Sequence, residues 1–187
     1  MPVVVYAEST PNPNILKFVL NKKLTDKSVE YLSPSEAINA PLARLLFDFD
    51  FIKSDFIASN FISITKSGAY DWYELMPQIR ETIIRFFNEG NSPFAQEETG
   101  KKTEEIKKLP PIDNQIINLI EEFVQPAVEG DGGEIVFKSF EKGKVTLIMK
   151  GACRGCPSST ITLKSGIENL LKQMIPDVKE VVAEAAV

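Results

Sequence analysis

From Asn91 to Pro111 the chain reads NSPFAQEETGKKTEEIKKLPP, with four acidic residues, four basic residues and almost nothing to bury. Such a stretch cannot offset the entropy of ordering itself, so it reads as a flexible charged linker. No other feature limits the fold as much. It cuts the 187 residues into a first domain over 1–90 and a second over 112–187. Each is small for a single hydrophobic core. Inside the linker, Glu104, Glu105, Lys107 and Lys108 have the spacing of a short charged helix that Pro110-Pro111 would stop. Formal charge is −2 before the linker (9 basic, 11 acidic), 0 within it and −3 after it (8 basic, 11 acidic). Neither domain has the basic footprint of a nucleic-acid binder.

Composition removes whole classes of chemistry. The chain has 2 cysteines and no histidine. Histidine is the usual general base and the commonest metal ligand near neutral pH, so Ser-His-Asp and Cys-His catalysis and His-ligated zinc, copper or iron are all excluded. Two cysteines are too few for a disulfide-stapled secreted scaffold. A hydrophobic fraction of 43% and a charged fraction of 25% are those of a folded globular chain. No apolar run approaches the roughly 18–20 residues of a membrane span. The start, Met1-Pro2-Val3-Val4-Val5-Tyr6, lacks a basic and apolar leader. These features lead us to expect a reducing cytoplasm, with a processed mitochondrial form as the alternative. No nucleic-acid or membrane partner is expected.

The fold class expected is α+β, two small α/β domains. In the first, Val3–Ala7 and Ile15–Leu20 read as strands flanking the turn-rich STPNPN, and Val29–Leu32 as a third. The spacing of Ile38, Leu42, Leu45 and Leu46 predicts a helix over Ser35–Phe47, with Ser33 or Ser35 as cap. Phe51–Ser59 and Phe61–Lys66 alternate like paired strands. A last helix runs to about Asn88, its start ambiguous because of Pro77, with Gly90 as its stop. The second domain reads α-β-β-α-β. Its first helix, Ile112–Gln125, carries Ile116, Leu119, Ile120 and Phe123 on one face and ends at Pro126. A flexible turn, EGDGG, leads to a hairpin of Glu134–Phe140 and Lys144–Lys150. The last helix, Ser159 to about Gln173, buries Leu163, Ile167, Leu170, Leu171 and Met174, and Val178–Val182 closes the sheet.

Chemistry concentrates in GACRGCPSS, residues 151–159, the loop between a strand and a helix. Cys153 and Cys156 have a spacing that converges two sulfurs on one metal or cluster edge, or closes a small disulfide ring. Gly151 and Gly155 let the backbone bend round them, with N–H groups free to donate to sulfur. A helix N-terminus and Arg154 favour thiolate over thiol. Two unrelated loop cysteines would be an unusual use of the chain's only thiols. A thioredoxin-like dithiol oxidoreductase also uses this spacing, but the aromatic before the first cysteine is missing, proline follows the second, and no parallel βαβ core is expected. Structural zinc needs four ligands and would have to bridge two chains as an interaction module. An iron–sulfur cluster also takes four thiolates, which two chains related by a two-fold axis would supply. That stoichiometry suits a scaffold or carrier rather than an enzyme.

The second domain resembles the NifU-like (Nfu-type) C-terminal domain through VQPAVEGDGGEIVF and VTLIMKGACRGCPSSTITLKSGIENLLKQMIPDV. The first resembles the Nfu-type N-terminal domain through TPNPNILKFVL, SPSEAINAPLARLLF and DWYELMPQI. The resemblance implies a scaffold or carrier in which two copies share a [4Fe–4S] cluster through Cys153 and Cys156. It also implies a homodimer when the cluster is bound, an upstream cluster donor and apo-protein clients. For the N-terminal domain it implies modulation of transfer or partner recognition.

Elsewhere the plainer readings are preferred. Phe47, Phe49 and Phe51 read as core packing at a helix–strand junction, with Asp48 and Asp50 facing solvent. Asp131 reads as a turn residue, and Trp72 and Tyr73 as partly buried contributors at a helix start.

Overall fold

The computed structural model describes residues 2–68, 70–95, 110–154 and 157–185, with the backbone alone at 157–160 and 185. The chain divides into two compact units, Met1–Lys102 and Thr103–Val187. In each, strands and helices share a layered core, the mixed architecture expected from the sequence, and in the first unit Val19, Phe56, Ala58 and Phe61 form a second, smaller buried cluster.

The first unit is a five-stranded antiparallel sheet of β1 (Val5–Ser9), β2 (Ile15–Leu20), β3 (Val29–Tyr31), β4 (Ile52–Ala58) and β5 (Phe61–Lys66), in the order β1-β2-β5-β4-β3. Strand alternation sends Leu16, Phe18, Leu20, Ile57, Ile62 and Ile64 to one face. There they pack against α1 (Pro41–Phe47) and α2 (Trp72–Asn88) in one buried cluster. Each such side chain contributes about 1.5–3 kcal/mol when fully buried. Asp71 caps α2 by accepting from the Tyr73 N–H at 2.9 Å, which settles its start at Trp72 and leaves Pro77 inside it. Gly90 follows α2 with a positive φ of 81°, a conformation glycine adopts without a Cβ penalty.

Two expectations for this unit need correction. The helix over Ser35–Phe47 is shorter and begins at Pro41. Proline disfavours helical backbone in the residue before it, and Ala40 sits at φ −123°, ψ 83°. Ser33 and Glu36 instead close a turn, with the Leu32 N–H donating to Glu36 at 2.9 Å. Ile38 falls outside the helix and is 69% exposed. The phenylalanines pack as expected: Phe51 is buried, Phe47 at the end of α1 and Phe49 rest on the same core, Phe49 and Phe51 stack at 5.2 Å, and Asp48 and Asp50 are exposed. Finally, the chain after α2 packs back on this unit: Pro93 is buried, Phe94 rests on the core, and the Ala95 N–H donates to Asn39 at 2.8 Å. Of the expected linker, 96–109 lies outside the described residues.

One charged side chain breaks the pattern of this core. Asp55 in β4 lies opposite Ile64 and Tyr31, fully buried, and neither carboxyl oxygen has a hydrogen-bond partner. Burial first, and the nearby Glu30 second, push its pKa up to about 8.

The second unit begins with α3 (Pro111–Leu119), passes through one π-helical turn (Ile120–Val124) and continues as α4 (Gln125–Gly130). Pro126 therefore does not end the helix. Proline has no N–H to donate and its ring crowds the preceding turn, and the π turn accommodates this, with the Gln125 N–H donating to the Ile120 carbonyl. The added residue also shifts the buried face: Val124 is 7% exposed, whereas Phe123, expected inside, is 54% exposed. Strands β6 (Gly133–Glu141) and β7 (Lys144–Gly151) form the expected hairpin, turning through Lys142 and Gly143 with φ of 52° and 86°. Helix α5 (Pro157–Met174) then crosses to β8 (Glu180–Ala185), which pairs with β7 in parallel. Glu168 fastens that crossover, accepting from the Val181 N–H at 3.0 Å and from Lys172 at 2.5 Å. Those bonds hold its carboxyl below the usual range, the Lys172 bond contributing most. Met174 is exposed at the helix end, and Ile175 takes the buried place.

Candidate metal centre

The end of β7 and the start of β6 build the site together. Gly133 and Gly151 are opposite each other in the hairpin register. Gly132 and Gly151 both have positive φ, 84° and 59°, so two backbone bends that glycine tolerates lie side by side. The Ala152 N–H donates to the Gly132 carbonyl at 3.1 Å, and the Arg154 N–H to the Gly151 carbonyl at 3.0 Å. A tight turn results, and it carries Cys153 directly after β7. The Ala152 and Arg154 N–H groups are thus committed to backbone carbonyls.

Cys153 is buried, 6% exposed, and belongs to the second unit's core cluster. Its Sγ occupies the space where a side chain at position 133 would stand. A Cβ built on Gly133 would lie 2.6 Å from that sulfur, 2.9 Å from the Lys150 carbonyl oxygen and 3.0 Å from the Cys153 nitrogen. Beside this seat, Glu134 and Lys150 pair across the hairpin at 3.0 Å, both largely shielded from solvent. Behind it, the Ile135 N–H donates to the Gln125 side chain at 3.3 Å, and Gln125 in turn donates to Glu129 at 3.0 Å. The glycine pair read from sequence as a flexible turn is instead the wall of a thiol seat. Two adjacent glycines a short hairpin away from the cysteines were the available signal.

Cys156 and Gly155 lie outside the described residues. Among the described residues, no group of three or more His, Cys, Asp or Glu side chains could hold a metal ion. Asp131 is the turn residue expected, following α4. Trp72 is half-buried and donates to the Pro13 carbonyl at 3.0 Å, whereas Tyr73 is 84% exposed. One objection to a dithiol oxidoreductase also falls, because β7, α5 and β8 do form a parallel βαβ unit. No described helix is long and apolar enough to cross a membrane.

Comparison with known proteins covers both units. Residues 5–90 match the family described as the N terminal of scaffold protein Nfu/NifU, and residues 116–182 match the NifU-like domain. A human protein named "NFU1 iron-sulfur cluster scaffold homolog, mitochondrial" is 38% identical over 179 residues, covering 95% of this chain and 70% of its own length. A Schizosaccharomyces pombe NifU-like protein is 36% identical over 187 residues, covering 95% of this chain and 71% of its own. A solution structure of a NifU-like protein from Saccharomyces cerevisiae aligns with 51% of this chain and 87% of its own, at 21% identity and a TM-score of 0.45.

Proposed function

Since the chain belongs to the Nfu/NifU family of iron–sulfur cluster scaffold proteins, we propose that two copies hold one [4Fe–4S] cluster through Cys153 and Cys156 of each and deliver it to apo-protein clients. The observation that carries this reading is the thiol seat: Cys153 sits in a glycine-built turn at the strand–helix junction, inside the segment that matches the NifU-like domain. With two thiolates per chain and no histidine, a second chain is the nearest source of the missing ligands.

Delivery is ligand exchange. Each Fe–S bond to a scaffold cysteine is replaced by one to a client thiolate, and the proton the client thiol gives up is balanced by protonation of the departing cysteine. No electron moves, and no covalent turnover chemistry by the protein is needed. Cys153 is nearly inaccessible in the structure, so loading requires the 151–154 turn to present its sulfur outward. Thiolate ligation needs reduced cysteines, which a cytoplasm or a mitochondrial matrix supplies.

Anaerobic reconstitution with iron and sulfide, followed by Mössbauer spectroscopy, tests the ligands. Cys153→Ser and Cys156→Ser should each abolish a stable [4Fe–4S] signal, and a full signal in either variant would refute the assignment. The parallel βαβ unit gives the dithiol oxidoreductase one observation in its favour. Reduction of insulin disulfides by metal-free protein at a thioredoxin-like rate would establish that reading instead.

A further inference from the structure

Alternate positions of a strand share one face, so the helix-facing row of β5 runs Ile62, Ile64 and then Lys66. The row that builds the core thus ends on a charge. Lys66 is buried, 7% exposed, and its Nζ lies 5.6 Å from the centre of the Trp72 ring in the first turn of α2. The STPNPN turn holds both residues in place. The Lys66 N–H donates to the Asn14 carbonyl at 2.9 Å, and the Trp72 indole N–H to the Pro13 carbonyl at 3.0 Å.

This ammonium has a ring beside it and no counter-anion. Among the described residues no carboxylate forms an ion pair with it. The acids at the start of α2, Asp71 and Glu74, are exposed, and Asp71 is committed to capping the helix. A ring face attracts a cation but offsets only part of what is lost when a charge leaves water unpaired. Nor is the Nζ sealed off from solvent, so an ion from outside has access to it.

We propose that Lys66 and the first turn of α2 bind an oxyanion, the carboxylate or phosphate group of a ligand, beside the Trp72 ring. Helix α2 is 17 residues long, and a helix N-terminus carries partial positive charge and more N–H donors than acceptors. Side chains lean toward the N-terminus of their helix, which puts the Trp72 ring, and the ammonium over it, at that positive end. The two attractions therefore act on the same negative group, which takes a charge-assisted hydrogen bond from Nζ. Tyr70 and Tyr73, 44% and 84% exposed, flank Trp72 in sequence and offer ring surface to the body that carries the anion. The site lies in the first unit, which has no cysteine, so it does not depend on the cluster reading.

Trp72 is the only tryptophan, so the fluorescence of the metal-free full chain reads the site. Sodium phosphate and sodium acetate are titrated at pH 7, each against sodium chloride at matched ionic strength. At least one of the two oxyanions should give a saturable change at millimolar concentration. A response to phosphate alone assigns the site to a phosphate group, a response to acetate alone to a carboxylate, and a response to both to their shared charge. Lys66→Met fills similar space without the charge and should weaken binding about tenfold or more. Lys22→Met removes an exposed lysine whose Nζ lies 4.5 Å from the Phe87 ring and should leave binding unchanged. The bound oxyanion should also raise the urea midpoint of the unmodified chain and of Lys22→Met, but not that of Lys66→Met. A change no larger than that with chloride, or an equal response in Lys66→Met, would overturn the site.

Discussion

Gly133 and Cys153 are coupled by contact, because the sulfur fills the volume a side chain at 133 would need. Gly133→Ala should cost about 1–3 kcal/mol through overpacking, part of it against backbone that cannot yield. It should also displace Cys153, so cluster occupancy falls. Gly143→Ala is the control: its φ of 86° makes alanine strained there, but its close contacts are with Lys179 and the Asp177 carbonyl, away from the thiols. Both variants should melt earlier, and only Gly133→Ala should load less iron. Asp55 makes a second residue-scale case, in the first unit. Its carboxyl binds a proton more tightly in the folded chain, with a pKa of about 8 against an unfolded value of 3.8. The folded state thus holds more protons between those values, and stability falls as pH rises, by about 1.4 kcal/mol per unit within the window. Trp72 is the only tryptophan and lies in this unit, so its fluorescence follows this unfolding. Urea titrations at pH 5, 6 and 7 should show the decline, and Asp55→Val should flatten it and raise the midpoint at pH 7. An unmodified chain as insensitive to pH as the variant would contradict the buried-acid assignment.

At the scale of elements, the sequence displays most strands and hides several helix boundaries. Alternation revealed β4 and β5, and the turn residues of STPNPN marked β2, whose six residues are all buried. The parallel pairing of β8 was hidden because strand direction follows from the path of the connection, and periodicity carries no such information. Helix limits failed at prolines. Pro41 starts a helix that the apolar spacing extended too far back, and Pro126 sits inside one it was expected to end. In both cases the deciding term was a missing N–H or a neighbour's backbone, not hydrophobic spacing. The turn that carries Cys153 after the hairpin was expected from residue types, whereas the glycine its sulfur packs against lies about 20 residues earlier in the chain and becomes visible only once the hairpin register is known. Gln125 shows what a folded context adds: it ties the π-turn region to β6 through Ile135. Gln125→Leu leaves that N–H unsatisfied and should lower the second unit's stability by about 1–3 kcal/mol. Chemical denaturation followed by far-UV circular dichroism would read the change, and unchanged stability would show that the bond contributes nothing.

For the whole molecule, the two units carry separate cores, and the cysteines lie in the second alone. Cluster binding should therefore depend on the second unit's thiols and on the number of chains present, while changes such as Asp55→Val leave occupancy unaltered. Chain count is the point at which the cluster-scaffold reading differs most sharply from a dithiol enzyme, which would act as a metal-free monomer. Native mass spectrometry of the anaerobically reconstituted full chain measures it directly. A species of two chains with four irons and four sulfides should appear, collapsing to single chains when the metal is chelated. A four-iron cluster carried by a single chain, or a two-chain species that persists unchanged without metal, would contradict a cluster held between two copies.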